Sequence, residues 1–90
     1  MLKHYNILVK GKVQGVWYRK STWEKAMELG IKGTVKNLSD GSVYIQAEGE
    51  ENQLKAFIKW CKNGPKFAEV SEISFDEADP LFYQFFEILY

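Results

Sequence analysis

The order of elements written into this chain is β-α-β-β-α-β with one further strand at its end. That order predicts an α+β fold, a ferredoxin-like α/β sandwich whose antiparallel sheet carries both helices on one face. Three observations carry the prediction. Period-2 alternation opens the chain, an Asp40-Gly41 pair separates two extended runs, and apolar residues at helical spacing occur around Ala26 and again around Phe57.

Taken in order, Tyr5, Ile7 and Val9 alternate with Asn6 and Leu8, as in a strand with one face in a core. The loop GKVQGV follows. Ser21 and Thr22 then precede Trp23, Ala26, Met27 and Gly30 at helical spacing, with Glu24 three residues after Ser21 as in a capping box, so the first helix is expected from about Arg19 or Ser21 to Leu29. Gly30 is suited to the left-handed conformation that ends a helix. Ile31 to Lys36 resumes extended character toward Asn37. The segment NLSDGSV makes a hairpin turn, because Asp and Gly both tolerate positive φ. In the strand beyond it, Val43, Ile45 and Ala47 face the core while Tyr44, Gln46 and Glu48 face a wetter side.

Glu50 and Glu51 stand where a helix dipole favours acids, and Leu54, Phe57, Ile58 and Cys61 repeat at i, i+3, i+4, i+7 before Asn63-Gly64-Pro65 ends the run. Ala68 to Phe75 is a strand in which Val70 and Ile73 break strict alternation and so suggest a bulge. LFYQFFEILY is strand-prone to the last residue, an edge strand with one packing face.

Ninety residues bound the chain to a single domain over residues 1–90, since two cores could not be filled at this length. Twelve Lys and Arg balance twelve Asp and Glu, so no global field draws the chain to nucleic acid or to an anionic membrane, and neither is expected as a partner. Any anion site must therefore be built locally. The lone Cys61 forms no internal disulfide, and the N-terminus lacks the apolar core and cleavage site of a signal peptide. No run has the apolar length of a membrane span, and a cytoplasmic monomer is expected.

The loop GKVQGVWYR carries the chemistry. Gly15 between a strand and a helix start lets successive backbone NH groups converge on one point, and the helix start adds unpaired NH groups of its own. Arg19 lies where a guanidinium fork could grip a phosphate or carboxylate. By themselves two glycines and an arginine read first as a turn followed by a solvated helix start, because short Gly-containing loops are common.

The rest of the chain changes that balance. GKVQGVWYR resembles the first signature of the acylphosphatase family, Gly-x-Val-Gln-Gly-Val-x-Phe-Arg, and GTVKNLSDGSVYIQAEG resembles its second. NGPKFAEV and the closing FEI are similar to later family segments, so the resemblance spans essentially the whole chain. It implies a phosphate site made by Gln14, Gly15, Val16, Trp17, Tyr18 and Arg19, with Arg19 and Asn37 catalytic, the first on the phosphoryl group and the second on the attacking water. The implied reaction cleaves a small-molecule acyl phosphate to carboxylate and inorganic phosphate, with no metal and no cofactor. A non-catalytic anion-binding or regulatory domain of the same fold is the alternative, and it would need Arg19 but not Asn37. An RNA-binding sheet is disfavoured because neither GTVKNLS nor VYIQAEG supplies its basic-aromatic motif.

Three residues depart from the family pattern. Tyr18 stands for Phe and brings a hydroxyl that needs a partner if buried. Thr34 stands for an aromatic. Trp17 is bulkier than the residues usual at its position, and its ring is expected to replace part of the aromatic surface missing at Thr34. His4 reads as a strand residue on the wetter face, Cys61 as a small core residue, and Asp76, Glu77 and Asp79 as a solvated turn.

Overall fold

The computed structural model describes all 90 residues. Seven elements follow one another in the expected order: β1 (Lys3–Lys12), α1 (Tyr18–Leu29), β2 (Lys32–Asn37), β3 (Val43–Gly49), α2 (Glu51–Asn63), β4 (Glu69–Ala78) and β5 (Phe86–Ile88). They build one five-stranded sheet in the order β4-β1-β3-β2-β5. Val9 stands opposite Val43 and Ile45 opposite Val35, so the apolar residues of the alternating runs share one face. Onto it α2 lays the fully buried Leu54, Phe57 and Cys61. Each such side chain contributes about 1.5–3 kcal/mol over its exposed state, which makes this helix the main clamp on the sheet.

The bulge foreseen in the fourth strand is present. Lys10 pairs with Glu72 but Gly11 pairs with Val70, leaving Ser71 as the extra residue. The Asp40-Gly41 turn also forms, with Ser42 NH donating to Asp40 Oδ1 at 2.9 Å.

Four expectations are corrected. The sheet is mixed, because β5 runs parallel to β2. β4 finishes opposite His4, at the end of the sheet where β2 begins, so a chain crossing there must run alongside β2 in the same direction. The last strand is also short: only Phe86–Ile88 pairs, since residues 79–85 are spent on the crossing.

The first helix begins earlier than its capping-box signal. It starts at Tyr18 behind a left-handed Trp17, with no side-chain cap. Its buried stripe is therefore Tyr18, Thr22 and Ala26, while Trp23 and Met27 stay 37% and 54% exposed.

Finally, His4 and Glu48 are not on a wet face. Both are buried, because the crossing segment covers that end of the sheet. Glu48 accepts hydrogen bonds from the Leu81 and Tyr83 NH groups and pairs with His4 Nδ1 at 2.8 Å, while the Tyr83 ring stacks on His4. Burial alone would raise the Glu48 carboxyl, but His4 and the two NH donors outweigh it and hold the group below its ordinary value of 4.5.

A carboxyl with a lowered folded pKa adds stability that is complete above pH 4.5 and is lost as pH falls through the lowered value. Glu48→Gln is therefore expected to flatten the acid limb of the stability curve. Urea unfolding of both proteins from pH 7 to pH 3 checks this, with the gap between them narrowing as pH drops.

Candidate active site

The site lies at the opposite end of the sheet from Glu48, where β1 leaves, α1 begins and β2 ends. Two residues before α1 take left-handed backbone, Gly15 at φ 72° and Trp17 at φ 65°. The first costs nothing for glycine, whereas the second stores roughly 1–3 kcal/mol of strain in a tryptophan. The turn brings Ser21 NH onto Trp17 O at 2.9 Å, which leaves the NH groups of Tyr18, Arg19 and Lys20 to the first turn of the helix without intrahelical acceptors. Open space adjoins Gly15, where an added Cβ would meet nothing within 4 Å. A cluster of free donors at a positive helix end beside open space is suited to an anion.

Gln14 anchors this loop. Its side-chain amide donates to Leu38 O at 2.8 Å and to Ser42 O at 2.9 Å, the two carbonyls that flank the β2–β3 turn. Asn37 precedes Leu38, so the same pair of bonds sets the loop against the asparagine. Val16 buries its side chain in the core and Tyr18 is buried as well, its hydroxyl donating to Cys61 O at 2.7 Å. The hydroxyl that replaces a phenylalanine edge thus has its partner. Burial pushes the Tyr18 phenol far above its ordinary range, and it pushes the Cys61 thiol up to about 12, so neither ionises at neutral pH.

A cavity of about 600 Å³ opens here, and Gly15, Arg19 and Asn37 all line it. Trp17 and Tyr18 line it too, while Gln14 and Val16 do not. The Asn37 Oδ1 atom is buried and has no hydrogen-bond partner. Such an atom costs about 1–3 kcal/mol unless something donates to it, which points to a ligand or water as its partner. Arg19 is held from the side of the chain's end: Nη1 donates to Leu89 O at 2.9 Å, and its guanidinium carbon stands 4.8 Å from the centre of the Tyr90 ring. Leu89 is itself fixed by its NH on Val35 O at 2.8 Å. No trio of His, Cys, Asp or Glu side chains converges anywhere in the chain.

The acylphosphatase family model matches residues 5–88, nearly the full length. The chain belongs to the acylphosphatase family. An acylphosphatase of Marinobacter nauticus is 54% identical over 76 residues, covering 84% of this chain and 83% of its own. One from Thermotoga maritima is 45% identical over 89 residues, 99% of each chain. The crystal structure of the acylphosphatase from Bacillus subtilis superposes with a TM-score of 0.95 at 42% identity over 100% of both chains.

Against the acylphosphatase signatures, two sequence expectations resolve differently. Thr34 lies on the sheet face away from the helices, within 3.4 Å of Gln46 Oε1, while Trp17 stands 70% exposed at the cavity with the Lys20 ammonium 5.8 Å above its ring. The tryptophan therefore does not replace the aromatic missing at Thr34. Sequence reading also missed Trp23, Leu89 and Tyr90. Leu89 and Tyr90 reach the site through the parallel β5 pairing, for which the closing FEILY was the one available signal, while Trp23 enters from α1 with its indole NH on Phe86 O.

Gln14→Ala is expected to remove both hydrogen bonds from the loop to the Leu38 and Ser42 carbonyls, which keep only their backbone donors Gly41 NH and Leu38 NH, and to lower stability by about 1–2 kcal/mol. Denaturant midpoints measure that loss. Phosphate affinity should fall with it, because the loop and Asn37 lose their shared anchor.

Proposed function

We propose that this hydrolase of acyl phosphates acts as a single domain over residues 1–90 and works with a backbone cradle, one arginine and one asparagine. The observation that carries this reading is the convergence of the Gly15 loop, Arg19 and Asn37 on one cavity from two separate segments of chain. The phosphoryl group is held by the NH groups that follow Gly15, and Arg19 closes over it with the guanidinium donors that Leu89 leaves free. Gln14 serves by its side chain as the loop's anchor, while Val16, Trp17 and Tyr18 contribute backbone.

Asn37 orients the attacking water. An amide is neutral at every working pH, so its part is alignment and not proton abstraction. The water oxygen bonds to phosphorus as the bridging P–O bond breaks, and the bonding pair leaves on the carboxylate. That carboxylate is a stable anion and needs no general acid. The water's proton passes to a phosphoryl oxygen of the substrate, since the cavity is lined by no His, Asp, Glu or Cys and Tyr18 stays protonated. Phosphoryl transfer of this kind asks chiefly for position and charge stabilisation, which few residues can supply. Neither metal nor cofactor takes part, and the protein acts as a cytoplasmic monomer without nucleic-acid or membrane partners.

A purely anion-binding domain has no use for a buried acceptor oxygen at Asn37, and this favours turnover. Two substitutions separate the roles. Arg19→Ala should weaken inhibition by inorganic phosphate by about 100-fold and abolish most turnover, because a charged, two-pronged contact is lost. Asn37→Ala should keep phosphate inhibition within about threefold of the parent while kcat falls by about 100-fold. An Asn37→Ala enzyme that turns over acetyl phosphate normally would refute its role. Excess chelator should leave the rate of the parent enzyme unchanged.

A further inference from the structure

The hold of Gln14 depends on where the Leu38 and Ser42 carbonyls stand, and the turn between them is shaped by a residue outside the cavity. Gly41, at φ 94°, sends its NH to Leu38 O at 3.2 Å, while Leu38 NH returns to Ser42 O at 2.9 Å. Each carbonyl keeps one lone pair for the Gln14 amide. Because Leu38 O is shared between Gly41 and Gln14, this pattern leaves the NH of Ser42 without a carbonyl across the turn.

Ser42 is 2% exposed, so its two donors, the NH and the hydroxyl, are shielded from water. Both go to one atom: Asp40 Oδ1 accepts the NH at 2.9 Å and the hydroxyl at 2.5 Å. Asp40 itself is exposed at the tip of the turn. The Ser42 hydroxyl and then the Ser42 NH, with Lys10 adding its charge, hold the Asp40 carboxyl below its ordinary value of 3.8, and it stands as a carboxylate at neutral pH. Without that acceptor two buried donors have no partner, and residue 42 is driven outward to meet water. Its carbonyl then leaves Gln14. Asn37 pairs with Val43, the next residue along, so the same displacement reaches the asparagine.

We propose that Asp40 is a positioning residue for the hydrolysis: its carboxylate pins Ser42, Ser42 O fixes one arm of the Gln14 amide, and Gln14 in turn holds the cradle beside Asn37. Asp40 acts entirely through these bonds, since it does not line the cavity. Its role rests on the proposed function of Arg19 and Asn37 and adds the residue that sets their spacing.

Turnover of acetyl phosphate and its inhibition by inorganic phosphate, measured well below the unfolding midpoint of each variant, test the proposal. Asp40→Ala should lower kcat about tenfold, the scale of a small misplacement. Inhibition by phosphate should stay within about threefold of the parent, because Gln14 still reaches Leu38 O and the cradle NH groups belong to α1. A merely structural turn residue would move stability and leave no such split. Asp40→Asn keeps an acceptor oxygen and should hold kcat within about threefold of the parent. In a Gln14→Ala background, Asp40→Ala should cost less than about threefold, since the link it serves is already cut. Parent-like kcat in Asp40→Ala, an undiminished loss in the Gln14→Ala background, or an Asp40→Asn enzyme as slow as Asp40→Ala each overturns the proposal. A second readout needs no turnover: in the amide spectrum of the ¹⁵N-labelled protein, the Gln14 side-chain signals should shift in Asp40→Ala and hold their place in Asp40→Asn. Signals unmoved in both variants also overturn it. If the parent hydrolyses acetyl phosphate and Asp40→Ala matches it, the role of Asp40 alone fails; if the parent leaves acetyl phosphate intact, the reading of Arg19 and Asn37 fails and the role of Asp40 with it.

Discussion

Two hydrogen bonds from one amide set the geometry on which the site depends. Gln14 Nε2 reaches Leu38 O and Ser42 O, and through them the loop before α1 is fixed to the turn after β2. Without that link the cradle and Asn37 would be two surface features on independent loops. With it they line one cavity, and the proposed chemistry needs them within reach of one small anion. A side-chain amide suits the task because its two donors can reach two carbonyls at once, each of which accepts one backbone NH within the turn and has a second lone pair to offer.

The remainder of the molecule supports this joint from both sides. Tyr18, at the first position of α1, is buried and bonded to Cys61 O, so the helix that supplies the NH groups is pinned to α2 at the point where it starts. The strain of the left-handed Trp17 is offset there, since that backbone conformation is what turns the loop into the helix. At the other wall, β5 lies beside β2 and delivers the Leu89 carbonyl to Arg19. An arginine with one nitrogen engaged and one face against Tyr90 has fewer rotamers to lose in the proposed contact with a phosphoryl group.

Much of this was legible in the sequence, and the residues show why. The alternation of Ile7 and Val9, the Asp40-Gly41 turn, the helical spacing from Leu54 to Cys61 and the bulge near Val70 are local patterns, and local patterns survive in one dimension. Arg19 and Asn37 stand out through the resemblance to the family's two signatures, and both line the cavity. What could not be read depends on contacts between distant segments. His4 and Glu48 look like wet-face residues until residues 79–85 are laid over them. The apparent Ser21-Glu24 cap competes with an earlier start that Tyr18 gains by packing, and tertiary packing wins. Trp23 reads as a core residue of α1, yet its indole turns to the last strand, whose parallel pairing no local signal announces.

The central claim is that one anion is held by the backbone that follows Gly15 and by Arg19, with Asn37 beside it. Titration of the ¹⁵N-labelled protein with inorganic phosphate, followed through its amide correlation spectrum, tests it without changing a residue. The account predicts saturable shifts concentrated on the backbone amides from Gly15 to Arg19 and on the Asn37 side-chain amide, all fitting one dissociation constant. Shifts scattered over surface lysines, with the loop and Asn37 unmoved, would contradict it.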